Sequence, residues 1–246
     1  MVGIENEDSS GPKPPSYDLS AMPRLRHHSE YYSERGNFTV QVKDTVFKIW
    51  DEKFWTDSEF FRLVPQENGT TLENIANEKA ELPLNSEGRT WKLNDVEVED
   101  FTRLLWVINP RMPGKIKATT FEDWNGVLKL TDRWMFHTYF NHAVEKISEL
   151  STDPIKKIQL MHRHKIRREW AIDAFVALAL RDTFPDQEDA EVLGLELTTY
   201  LAKARERVSY MVPFWNRRRY EPVKAVVCEV FRLNGGLKDP ESWKAT

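Results

Sequence analysis

The 246-residue sequence predicts an α+β fold in which strands come first and helices follow. Three observations carry that expectation. Apolar and polar residues alternate strictly from Phe38 to Val42, and Thr45 to Ile49, rich in β-branched and aromatic residues, answers across Lys43-Asp44. From Asn94 onward the apolar spacing changes to that of helices. Strands and helices are segregated rather than alternating, and no repeat of roughly 20 to 50 residues recurs, so neither a parallel βαβ sheet nor a solenoid is expected.

Each element has a local reason. Gly36 and Asn37 supply turn chemistry ahead of the hairpin, and the two residues between its strands make a tight connection. Asp51 to Val64 reads as one or two short helical segments, with Asp57 or Ser58 as N-cap of the second. The polar run from Pro65 to Arg89 is too long for a tight turn and predicts a flexible surface loop, closed by a short strand from Thr90 to Leu93. Asn94 and Glu97 stand at capping-box spacing before the stripe Phe101, Leu104, Leu105 and Ile108. Thr120 and Asp123 repeat that spacing before Phe121, Trp124, Leu128 and Trp134, and Phe140, Ala143, Val144 and Ile147 mark the next helix. Asp153 followed by Pro154 is a strong helix start. Beyond it, "AIDAFVALAL" is apolar enough to be buried on most sides, and Leu193, Leu197, Tyr200, Leu201, Ala204 and Val208 line a last long helix. "VKAVVCEVFRL" is one further apolar run, for which the sequence offers no placement.

Composition excludes several classes of function. A formal net charge of -4 gives no global positive field to draw the chain to nucleic acid or anionic lipid. Cys228 is the single cysteine, so an intrachain disulfide and a thiolate metal cluster are both excluded, and a reducing, intracellular compartment (cytoplasmic or nuclear) is expected. The start "MVGIENEDSSGPKPP" lacks the cationic and apolar regions of a signal peptide, and no apolar run nears the roughly 18 residues that span a bilayer. "NFT" at Asn37 and "NGT" at Asn68 match the glycosylation sequon, which has meaning only in a secreted chain.

The search for catalytic chemistry returns little. No glycine-rich phosphate loop and no G-x-S-x-G elbow occurs. His162 and His164 are two apart and point from different faces of a helix, whereas a zinc pair needs a spacing of about four. The acid pairs Glu122-Asp123 and Glu97-Glu99-Asp100 sit at helix starts, where the macrodipole favours them. The last histidine in the sequence is His164, leaving Cys228 without a nearby base in sequence. The basic runs "HRHKIRR" and "RRR" read as solvated surface beside acids such as Glu169 and Glu221. No catalytic residue, cofactor or metal is therefore expected, and an enzyme with a dispersed site is the remote alternative. Nine tryptophans and thirteen phenylalanines are the unusual feature. Most belong in a core, but Trp50, Phe54 and Trp55 crowd one short segment, and partly exposed aromatics are the usual anchors of protein interfaces.

Taken in order, these motifs resemble a BTB/POZ domain, and more narrowly the BTB-domain proteins expanded in mushroom-forming fungi. "HHSEYYSERGNFTVQVKDTVFKIW" is similar to that family's R-H-S-x-Y-Y lead and paired strands, and Asp57, Ser58 and Phe61 fit its D-S-x-x-F helix start. "VEDFTRLLWVINP" and "TFEDWNGVLKLTDRWMF" look like its third and fourth helices. "DPIKKIQLMHRHKIRREW" and "LGLELTTYLAKARE" match its helical extension, so the resemblance runs from about His27 to Tyr210. Low apolar content with abundant Ser, Pro and Glu reads 1–28 as a disordered tail. The resemblance implies a BTB/POZ-like domain at 29–150 and an all-helical extension at 151–210, followed by a C-terminal tail at 211–246 whose structure the sequence leaves open.

The resemblance also implies a non-catalytic protein-interaction module with protein partners, no nucleic acid and no membrane. A homodimer is the first expected partner, and a cullin-type ubiquitin ligase scaffold, recruited through the extension, is the alternative. Tyr31, Tyr32, Asn37, Trp50, Phe54, Trp55 and Phe61 are the expected contact residues. Two departures fall among them. Asn37 stands where the family has Asp and Trp50 where it has His, in the charged pocket that several BTB dimers use.

Overall fold

A computed structural model describes residues 25–63, 90–111, 116–212, 219–233 and 243. Among them are a four-stranded mixed sheet and nine α-helices. The hairpin forms as the alternation predicts: β2 (Phe38–Val42) pairs antiparallel with β3 (Thr45–Ile49), Val40 opposite Phe47. Then follow α1 (Glu52–Asp57), α2 (Glu59–Leu63) and β4 (Thr90–Leu93), which returns parallel to β2. The stretch 64–89, expected to be a loop, lies outside the described residues.

A strand missing from the sequence reading, β1 (Arg26–Tyr32), lies parallel to β3 at one edge, giving the order β1-β3-β2-β4. β1 therefore starts inside the stretch read as tail. The β1–β3 register is interrupted between His27 and Tyr32. His28 explains the interruption. Its Nδ1 accepts the backbone N–H groups of Glu30 and Tyr31 at 3.2 and 3.0 Å, so two donors bond to a side chain instead of the neighbouring strand.

The strands divide their side chains between two faces, as the pleat requires. Phe38, Val40, Val42, Phe47, Ile49, Trp91 and Leu93 are buried on the inner face. The helices cover that face: Phe47 meets Phe101 at 4.8 Å, Phe38 meets Phe54 at 5.4 Å, and Phe61 meets Trp91 at 5.2 Å and Trp134 at 5.9 Å. Edge-to-face contacts of this kind favour the ring quadrupoles as well as burying area.

α3 (Val98–Ile108), α4 (Phe121–Arg133) and α5 (His137–Glu149) follow. The Thr120–Asp123 capping box forms in full. The one expected at Asn94 and Glu97 does not, and α3 starts at Val98 with Glu97 as an N-cap that makes no side-chain bond. Val96 is buried, which holds the preceding backbone out of the helix, and the Glu97 carboxylate is engaged by Lys43. Between α3 and α4, Arg103 bridges Asp100 and Asp123 while Lys129 also reaches Asp100.

Helices α6 (Pro154–Arg163), α7 (Ile172–Leu180) and α8 (Gln187–Met211) form the extension, with a short 3-10 turn at Arg168–Ala171 before α7. Asp153 caps α6 through the N–H groups of Ile155 and Lys156. α8 is broken at Gly194, whose φ is +75°. Arg205 ties α8 to the end of α7 by donating to the carbonyls of Leu178, Arg181 and Asp182. The run left unplaced by the sequence forms α9 (Tyr220–Phe231), packed on α7 and α8 with Val223, Val226, Val227 and Phe231 buried. Part of the 211–246 segment, whose structure the sequence left open, is thus core. Hydrogen bonds that join extension to core include Trp170 Nε1 to the Val144 carbonyl at 3.2 Å and His164 Nδ1 with Asp132 at 2.8 Å. Among the described residues no helix is long and apolar enough to cross a membrane.

Candidate protein-interaction site

The seven residues expected at a contact surface divide into three groups. Phe54 and Phe61 are fully buried, and Tyr31 is nearly so. All three lie inside the fold rather than on its surface. Their rings are committed to the core, Phe54 against Phe61 at 5.2 Å and Phe136 at 5.7 Å, and Tyr31 beneath the Arg111 guanidinium. Burial raises the Tyr31 hydroxyl pKa well above its ordinary value, with Glu30 adding to the effect. Tyr32 and Trp55 are half-buried, and Asn37 and Trp50 are exposed.

Asn37, Trp50 and Trp55 come together at the end of the hairpin through a residue the sequence reading passed over, Asp51. Asn37 Nδ2 donates to Asp51 Oδ1 at 2.7 Å, and the Asp51 backbone N–H donates back to Asn37 Oδ1 at 3.1 Å. The second Asp51 oxygen accepts from Trp55 Nε1 at 2.8 Å. The carboxylate thus holds hairpin and α1 in one geometry, and Trp50, between Ile49 and Asp51, is left with its side chain 55% exposed. Immobilising the flanking backbone in advance reduces the entropy lost when a partner covers that ring.

Trp50 closes the outer face of the sheet. Alternation places Val46 and Lys48 of β3 in its row, Thr39 and Gln41 of β2 beside them, Thr90 and Lys92 of β4 next, and His27 and Tyr32 of β1 on the other flank. All are half-buried or exposed. His27 and Tyr32 stack with centroids 3.6 Å apart and planes within 7°. Among the described residues these outward rows of β2, β3 and β4 carry two lysines and no carboxylate, with the Asp51 carboxylate at their end. The same period-2 pattern that revealed the strands marks Lys48 as outward-facing; Lys92 needed the register of β4.

Other polar groupings are accounted for by packing. His164 is only 4% exposed and its hydrogen bond to Asp132 fastens α6 to α4, while His162 faces solvent. Of the basic runs, Arg168 forms a two-pronged pair with Glu196 at 2.7 and 3.1 Å, and "RRR" lies outside the described residues apart from Arg219. Lys157 is buried over the Trp170 ring, and desolvation lowers its pKa. An open cleft of about 280 Å³ between α8 and α9 sets Lys203, Arg207 and Arg232 against Glu206 and Glu229. Among the described residues no group of three or more His, Cys, Asp or Glu side chains is placed to hold a metal ion.

No protein-family model matches this chain, and no curated protein matches it.

Proposed function

We propose that this chain is a non-catalytic protein-interaction module of the BTB/POZ type, self-associating and carrying a helical extension. The observation that carries the reading is the Asn37–Asp51–Trp55 clamp, which presents Trp50 outward from a rigid hairpin. A tryptophan held in this way suits a contact anchor, since aromatic anchors supply much of the binding energy of interfaces. The succession of hairpin, two short helices, a strand returning parallel to β2 and then long helices supports the BTB-type assignment. Light scattering coupled to size-exclusion chromatography tests self-association: a dimer is expected, and a strict monomer at high concentration overturns that part. Partner capture by unmodified protein and by Trp50→Ala tests the anchor, since equal recovery by both removes it.

A second reading, an adaptor for a cullin-type ubiquitin ligase, is favoured by the way α6 to α9 join the core through His164 and Trp170 into one helical surface. Calorimetry with a purified cullin scaffold tests it, and absence of binding by the full chain rules it out.

A further inference from the structure

We propose that the outer face of the sheet is a docking surface for an acidic peptide segment bearing an apolar residue, with Trp50 as the apolar contact and Lys48 and Lys92 as the charged ones. The inference rests on the interaction-module reading and names the chemistry of its partner.

Charge is the first argument. The chain as a whole has a formal charge of -4, yet among the described residues the outward rows of β2, β3 and β4 present two cations and no acid, and the Asp51 carboxylate at their end is already bonded to Asn37 and Trp55. Two other basic residues of the sheet region already have partners, Arg26 with Asp44 at 3.2 Å and Lys43 with Glu97. Lys48 and Lys92 have no carboxylate within ion-pair distance among the described residues, whereas Lys117, Lys129 and Lys146 each do. Two lysines without an ion-pair partner among the described residues, on one rigid face, attract an acidic segment and repel a basic one, which sets specificity and on-rate.

Shape and polarity are the second argument. The lysines flank Gln41 and Thr39 on neighbouring strands, so amide and hydroxyl groups lie between the charges, and Trp50 and the His27–Tyr32 stack bound one side. An extended peptide crossing the sheet meets an apolar contact at Trp50 and charged contacts beyond it. Two lysines are few for a phosphate backbone, whose binding depends on neutralising many phosphates, so the peptide is the favoured occupant over nucleic acid.

The test uses the full chain and a fluorescein-labelled peptide of Asp and Glu with one central Leu, followed by anisotropy. Binding is expected, weakened by added salt as screened surface charges require. The double reversal K48E/K92E and, separately, W50A are each expected to lower affinity by about tenfold, with circular dichroism unchanged because these side chains are outside the core. In the unmodified chain, amide shifts in a nitrogen-15 spectrum should centre on Thr39, Gln41, Lys48 and Lys92. No binding, equal binding of a Lys-based peptide, indifference to K48E/K92E, shifts centred on the α8–α9 cleft, or tighter binding of a single-stranded oligouridylate would each overturn the proposal. Light scattering on the same samples separates the two ideas. A dimer that ignores the peptide sinks only the docking surface, and a monomer that binds it sinks only self-association.

Discussion

Asn37 and Asp51, fourteen positions apart in the sequence, exchange two hydrogen bonds, side chain to side chain at 2.7 Å and backbone to side chain at 3.1 Å. An amide suits this place because it can donate to the carboxylate with Nδ2 and accept with Oδ1, which an ionised Asp cannot. Asn37 therefore has a structural role in this chain.

Replacing Asn37 by Asp sets two carboxylates against each other. We expect Asn37→Asp to destabilise the fold by about 1–2 kcal/mol at neutral pH, through loss of the hydrogen bond that Nδ2 donates and through like-charge repulsion. The penalty should shrink as pH falls toward about 4, where carboxylates take up protons. Urea unfolding at both pH values measures this, and a pH-independent penalty would show that repulsion plays no part.

Gly36 and Gly194 make contrasting predictions. A Cβ on Gly36 would stand 2.8 Å from the Ile49 backbone nitrogen and 2.9 Å from its carbonyl oxygen, so β3 itself must shift. Nothing lies within 4 Å of a Cβ on Gly194, where the difficulty is the φ of +75° alone. Gly36→Ala should cost about 2–3 kcal/mol and Gly194→Ala about 1–2 kcal/mol. Spectra should separate them further, with the first perturbing the sheet and the second only the break in α8.

His28 makes stability depend on pH. Its Nδ1 accepts two backbone N–H groups, and Thr102 Oγ1, having given its own proton to the Val98 carbonyl, receives the Nε2–H. Burial lowers its pKa below the ordinary 6.5, partly opposed by Glu30. Above that value both folded and unfolded chains hold the neutral ring. Below it the unfolded chain binds a proton that the folded one resists, so stability falls with falling pH until the lowered folded pKa is passed. The urea midpoint should drop as pH falls below about 6.5, and a His28→Phe variant should lose part of that slope.

His164 tests the joint between core and extension. Truncation to Ala leaves a void and removes the bond to Asp132, at an expected cost of about 2–4 kcal/mol. Hydrogen exchange should quicken in α6 more than in the sheet; uniform acceleration would mean that core and extension unfold as one unit.

The hairpin, β4, the Thr120–Asp123 capping box and the Asp153–Pro154 helix start were legible because each depends on residues within a few positions of one another. Local rules failed at Glu97, where burial of Val96 and the reach of Lys43 overrode the capping spacing. They missed β1, whose partner strand is distant and whose hydrogen bonds go partly to the His28 ring, and α9, whose apolar face has meaning only against α7 and α8.

By itself the sequence determined the class of fold, the inward and outward rows of the hairpin and the crowding of aromatics after it. The tertiary structure alone decided which aromatic faces solvent. Phe54 and Phe61 meet the inner face of the sheet and α4, while Asp51, held by Asn37, leaves Trp50 outside. Periodicity reports a residue's side of its own element, but exposure depends on what other elements place there, and that information is non-local.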